Sequence, residues 1–163
     1  MPPDTDLPAD VSTMNAQQVG RAGEHYVAAE IHRRGGYTAL FAGNMADIDM
    51  LATNRAGDKR ISIQVKTKHA GTWQANGERD GKEADEDPDE NFFWVFVDLG
   101  EANPAYYIVP RWWIRNDIWS VYDPYVKRYE QEHGYPRKSH HCAIPVSRIK
   151  DARDRWDRLG IFG

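Results

Sequence analysis

The stretch Phe92-Phe-Trp-Val-Phe-Val-Asp98 constrains the fold more than any other part of the chain. Its aromatic and β-branched residues leave no polar face to turn towards water. Such a strand must be covered on both sides, so its sheet has to lie between other layers. Tyr106-Tyr-Ile-Val109 repeats the pattern before Pro110 closes it. Two buried strands call for helices, and the chain supplies them. Asn15 with Gln18 three residues later forms a capping-box pattern, and Gly35-Gly36 ends the helical periodicity that follows.

Three shorter β-type stretches, 37–41, 48–53 and 60–67, come next, the last two separated by a turn signal around Gly57-Asp58. Residues 71–90 read as loop by composition. Residues 111–120 and 124–133 read as two helical pieces, 136–141 as loop, and 146–159 as a final charged helix. The expected class is α/β: one domain with a mixed central sheet flanked by helices. Its expected parts are a flexible tail over 1–14, a core over 15–110 and a helical C-terminal extension over 111–163. A chain of 163 residues buries enough surface to need no metal or disulfide scaffold.

Composition sets outer bounds. No apolar run is long enough for a membrane span, and mean hydropathy is −0.75. The start, Met1-Pro-Pro-Asp-Thr-Asp, is acidic where a secretory leader is basic, so a cytoplasmic protein is expected. The lone Cys142 forms no intramolecular disulfide and no cysteine zinc site. Net charge is −4, yet eight acids lie between Glu78 and Glu90, and from Arg111 onwards 11 bases face 7 acids. A positive face is compatible with the acidic total. The acidic run, 76–90, reads as a solvated mobile loop. It is expected away from any phosphate-binding cleft or gating it, and its removal is expected to leave the fold intact.

Three features carry chemistry. On the first helix Gly20, Glu24, Val27, Ala28 and Ile31 share a face, so Glu24 either reaches water at the edge of that stripe or is directed at a cation. In Asp47-Ile-Asp49-Met50, alternation puts both acids on one side of a strand, as turn chemistry or as a hard-cation site. In Ile63-Gln64-Val-Lys66-Thr-Lys68, the residues Gln64, Lys66 and Lys68 form a polar face that is costly on an interior strand unless it is used or solvated. Aromatics from Tyr106 to Tyr129 lie among Arg111, Arg115, Lys127 and Arg128. They suit base stacking, although core packing explains most of them more simply. Adjacent His140-His141-Cys142 lacks a second ligand cluster and is set aside as a metal site.

Glu24, then Asp49-Met-Leu, then Gln64-Val-Lys66 resembles the PD-(D/E)XK (restriction-endonuclease-like) nuclease superfamily. The spacing is similar to that of archaeal Holliday-junction resolvases, and Gln-x-Lys is similar to Mrr-type endonucleases. Motif likeness covers residues 15–68, and strand order extends it to Val109. Ile48 stands where the family often has Pro, and Gln64 where it usually has Glu.

The resemblance implies a Mg²⁺-dependent DNA nuclease, with Mn²⁺ substituting, in host defence or DNA repair, and a homodimer as one assembly. It implies metal ligation by Asp49, the Gln64 oxygen and the Val65 carbonyl, with Glu24 in the outer shell or on a second ion. Lys66 would hold the attacking water and steady charge on the phosphate; Asp47 and Lys68 would be accessory. The alternatives are a catalytically degenerate member that binds nucleic acid and a protein-interaction module. The resemblance also implies that Glu24, Asp49, Gln64 and Lys66 share one cleft.

Overall fold

The computed structural model describes residues 13–43 and 45–163. The expected tail falls mostly outside the described residues, as does Asn44.

Helix α1 (Ala16–Arg33) opens with the reciprocal cap. The Asn15 side chain accepts from the Gln18 amide and Gln18 Oε1 accepts from the Asn15 amide, both at 2.9 Å. It stops where Gly35 adopts φ 92°, a left-handed conformation that costs glycine little. Val19, Gly23, Val27 and Ile31 form its buried stripe. A methyl group at Gly23 would come within 1.8 Å of Thr67 Oγ1, so glycine is what lets α1 lie close against the sheet.

β1 (Tyr37–Leu40), β2 (Met50–Thr53) and β3 (Arg60–Lys68) form an antiparallel meander. β5 (Phe92–Asp98) runs parallel to β3, and β6 (Ala105–Pro110) returns antiparallel to β5. The five-stranded order is β1-β2-β3-β5-β6, a mixed sheet as expected. All seven residues of β5 are buried, which a strand covered on both faces requires.

The two faces build separate cores. Ile61, Ile63, Phe93, Val95 and Ile108 meet α1 on one side. Trp94, Phe96, Tyr107 and Val109 meet helix α3 (Arg111–His133) and a two-stranded ribbon on the other. That ribbon pairs β4 (Trp73–Asn76) with β7 (His141–Ile144).

Three expectations give way. Residues 71–90 are not all loop: β4 runs directly into the one-turn helix α2 (Gly77–Asp80), capped by the Asn76 side chain on the Arg79 amide. Trp73 and Ala75 point inwards as a strand should, and acidic composition hides that alternation. Gly77 and the Gly81 backbone pack against Tyr122, Ile118 and Trp119, and Asp80 is buried, so this part of the acidic segment is built into the domain.

The two helical pieces after Pro110 are one helix, with Pro124 inside it. The turn before Pro124 is largely exposed, so the carbonyl that loses its amide partner can turn to water.

The C-terminal stretch is not a helix. It comprises α4 (Val146–Ile149) and two 3₁₀ turns, Lys150–Ala152 and Trp156–Leu159. Ile149 and Ala152 belong to the α3-side core, whereas Trp156, Leu159 and Ile161 belong to the α1-side core. Between them the chain passes the free edge of β6, where Tyr107 bridges to Arg153 and Asp154 donates its amide to the Tyr106 carbonyl at 2.9 Å. One straight helix cannot pack on both faces of a sheet.

Candidate active site

The site forms where β2 separates from β3. Register pairs run from Thr53↔Arg60 to Met50↔Ile63, and the Asp49 amide still reaches the Ile63 carbonyl at 2.9 Å. One step on, Asp49 Oδ2 accepts from the Val65 amide at 2.6 Å, so a side chain takes the donor that another strand residue would have paired. Asp47 and Asp49 therefore precede the strand instead of alternating along it. Asp47 adopts φ 66°, a left-handed conformation that aspartate tolerates in turns.

Burial pushes the Asp49 carboxyl up, opposed in decreasing order by the Val65 amide, Lys66 and Arg21. Lys66 shows the mirror effect. Desolvation lowers its ammonium, against the raising influence of Asp80, Asp49 and Asp47, while Arg79 lowers it further. The Lys66 ammonium also lies 5.2 Å from the centre of the Trp94 ring. An acid and a base, each pushed towards neutrality by burial, thus act on one another across the end of β3.

Gln64 points to the same side of the sheet as Lys66 and is 8% exposed. Among the described residues its amide has no hydrogen-bond partner. It lines a cavity of about 20 Å³ with Asp47, Arg79, Asp80, Trp94, Arg111 and Arg115. A wider groove of about 420 Å³ adjoins the other flank of Lys66, bounded by Gln74, Asn76, Lys138, His140 and His141.

Two expected members have charge partners of their own. Glu24 sits beside the buried stripe of α1, one position off it, and meets the cation Arg21, whose Nη1 donates to Glu24 Oε2 at 2.9 Å. Arg21 also acts on Asp49, so Glu24 connects to the site through a guanidinium. Lys68 is paired with Asp98, its register neighbour on β5, and stacks 4.7 Å over Trp73. Its charge is matched inside the fold, which removes it from the accessory set.

Asp80 was hidden in the acidic run. It is 5% exposed, accepts from the Asn76 amide at 2.7 Å and from Arg79 Nε at 3.0 Å, and exerts the largest charge effect on Lys66. The alternation Trp73-Gln-Ala75, followed by the helix-capping Asn76, was the signal that it sits on a folded element. Arg79 Nε also lies 3.7 Å from Asp47 Oδ1 and so bridges two carboxylates.

Comparison with known proteins adds no relative: no family model, curated protein or solved structure matches the chain. Among the described residues no three His, Cys, Asp or Glu side chains form a group able to hold a metal ion. No helix among them is long and apolar enough to cross a membrane.

Proposed function

We propose that the protein is a metal-dependent DNA nuclease hydrolysing phosphodiester bonds at Asp49, Gln64 and Lys66. The observation that carries this reading is the Asp49 carboxylate seated on the Val65 amide, its charge coupled to a desolvated Lys66. The order of one helix, a three-strand meander and a parallel fourth strand supports it.

A hard divalent cation fits these donors if the substrate completes its shell. Mg²⁺ commonly takes only one or two carboxylates and keeps waters or phosphate oxygens for the rest. Asp49 would hold it through Oδ1, helped by the Val65 carbonyl and the Gln64 oxygen. When bound, the ion polarises the phosphate and makes a coordinated water more acidic.

The chain's own residues supply the remainder. Lys66, with its ammonium destabilised by burial, hydrogen-bonds the attacking water and draws charge from the phosphate oxygen. Trp94 fixes the Lys66 side chain from beneath. Glu24 holds Arg21, and Arg21 adds positive field at Asp49. The groove beside Lys138 and His141 gives a DNA strand a path past Lys66. Cytoplasmic location is part of this proposal.

The test is cleavage of supercoiled plasmid with Mg²⁺ or Mn²⁺ by wild type, Asp49→Asn and Lys66→Ala. Metal-dependent nicking lost in both variants supports the reading; nicking retained in either one refutes it. A second reading is nucleic-acid binding without cleavage. It is favoured by the donor set: among the described residues no three His, Cys, Asp or Glu side chains form a group able to hold a metal ion, and Glu24 is paired with Arg21. Binding by wild type in the absence of any nicking would select it.

A further inference from the structure

Arg111 and Arg115 lie four residues apart on the first turns of α3, so they share a face of the helix. Neither has a carboxylate within ion-pair distance among the described residues. Arg111 rests 4.5 Å over the Phe92 ring, while Arg115 Nε is buried with no hydrogen-bond partner. The first turn of α3 carries no acidic residue, and its N-cap, Pro110, makes no side-chain hydrogen bond. Both arginines border the same small cavity as Gln64, a residue only 8% exposed.

An unpaired buried donor is costly, and the Arg115 Nε is one, in a residue that lines this cavity with Arg111 and Gln64. The two carboxylates that border the cavity, Asp47 and Asp80, are both engaged by Arg79. Asp47 Oδ1 keeps no hydrogen bond of its own, but three guanidiniums against two carboxylates leave the cavity positive. Its volume of about 20 Å³ admits one oxygen atom and not a whole phosphate group.

We propose that this cavity is a subsite for one non-bridging phosphate oxygen of a DNA strand, bound by Arg111, Arg115 and the Gln64 amide group. The ligand class rests on the nuclease reading above; the donor geometry does not. The subsite gives Gln64 a purpose that a glutamate cannot serve. An amide offers an oxygen to a cation and N–H groups to a phosphate at once, whereas a carboxylate would repel the phosphate. It also assigns a role to α3, which lies outside the region of motif likeness.

The test is equilibrium binding of a fluorescent DNA duplex to the full-length protein in EDTA, across a salt series, so that no cleavage is involved. Arg111→Gln, Arg115→Gln and Gln64→Glu should each weaken binding about tenfold, and each arginine variant should flatten the salt dependence by about one unit of slope. Arg33→Gln, on the exposed side of α1, is the control and should change neither. Arg115 is partly buried, so thermal melting accompanies each variant, and Arg111→Gln carries the test if Arg115→Gln unfolds. Wild-type affinity and slope in Arg111→Gln would overturn the subsite. Loss of binding in a protein that never nicks DNA would leave the subsite standing and sink only the nuclease. Nicking by wild type with binding unaffected in the variants would do the reverse.

Discussion

Asp49 accepts the Val65 amide at 2.6 Å and thereby ends the backbone pairing of β2 with β3. One carboxylate both opens the sheet and offers its second oxygen at the opening. Replacing it separates the two jobs. Asp49→Asn keeps an acceptor for Val65 and removes a partly buried charge. Without metal its stability in urea should equal or exceed that of wild type, since burial disfavours the charged form. Metal-dependent nicking should fall at least a hundredfold. An equally active Asn variant would disprove the assignment.

Lys66 tests the other partner. Lys66→Ala should abolish nicking while leaving Mn²⁺ affinity, read by calorimetry, unchanged or slightly higher, because a competing positive charge disappears. A metal affinity that collapses together with activity would mean Lys66 holds the site's shape instead.

Gln64→Glu makes opposite demands on metal and DNA. The added charge should tighten Mn²⁺, since a carboxylate is the better hard-cation ligand. It should also weaken DNA binding in EDTA. Parallel changes in the two affinities would contradict a shared role for the amide.

The acidic segment is expected to resist removal. Asp80 accepts from the Asn76 amide and from Arg79, both of which would be left without their buried acceptor. Asp80→Ala should cost about 2 kcal/mol in urea unfolding. Deleting 77–89 should cost more, because Gly77 and Gly81 pack against α3. A deletion variant melting with wild type would return the segment to the status of a loose loop.

Alkaline stability provides a check independent of function. Burial pushes the Tyr106 hydroxyl up to about 12 from its usual 10. The folded state then holds its proton more tightly than the unfolded chain, so stability falls as pH rises from about 10 to about 12. Tyr106→Phe should show a smaller loss between pH 9 and pH 11.5 than wild type, measured by urea titration. Identical losses would place the sensitive group elsewhere.

Local signals in the sequence were enough for α1, the hairpin and β5. The Asn15–Gln18 cap, the Gly57 turn and the apolar run at 92–97 each act over a few residues. The shared face of Gln64 and Lys66 followed from simple alternation. What was hidden depended on partners distant in sequence. Lys68 reads as a free cation until the parallel register places Asp98 beside it. Glu24 reads either as reaching water at the edge of the helix stripe or as directed at a cation, and which cation, Arg21, depends on how α1 packs, with the buried stripe running through Val19 and Gly23. Asp80 is indistinguishable from its acidic neighbours until α2 docks on α3. The stretch 146–159 reads as one charged helix, although the apolar residues there and just beyond it serve two different layers.

That last segment has a thermodynamic consequence. Ile149 and Ala152 are committed to one layer while Trp156, Leu159 and Ile161 are committed to the other, with Asp154 hooked to the rim of the sheet between them. Neither layer can come apart without pulling on the same short strap. The two halves should therefore melt as a single cooperative unit, with calorimetric and van't Hoff enthalpies in agreement. Cutting the chain after Arg153 would release that linkage, and the α1 layer would be left free to open alone, well below the melting temperature of the whole.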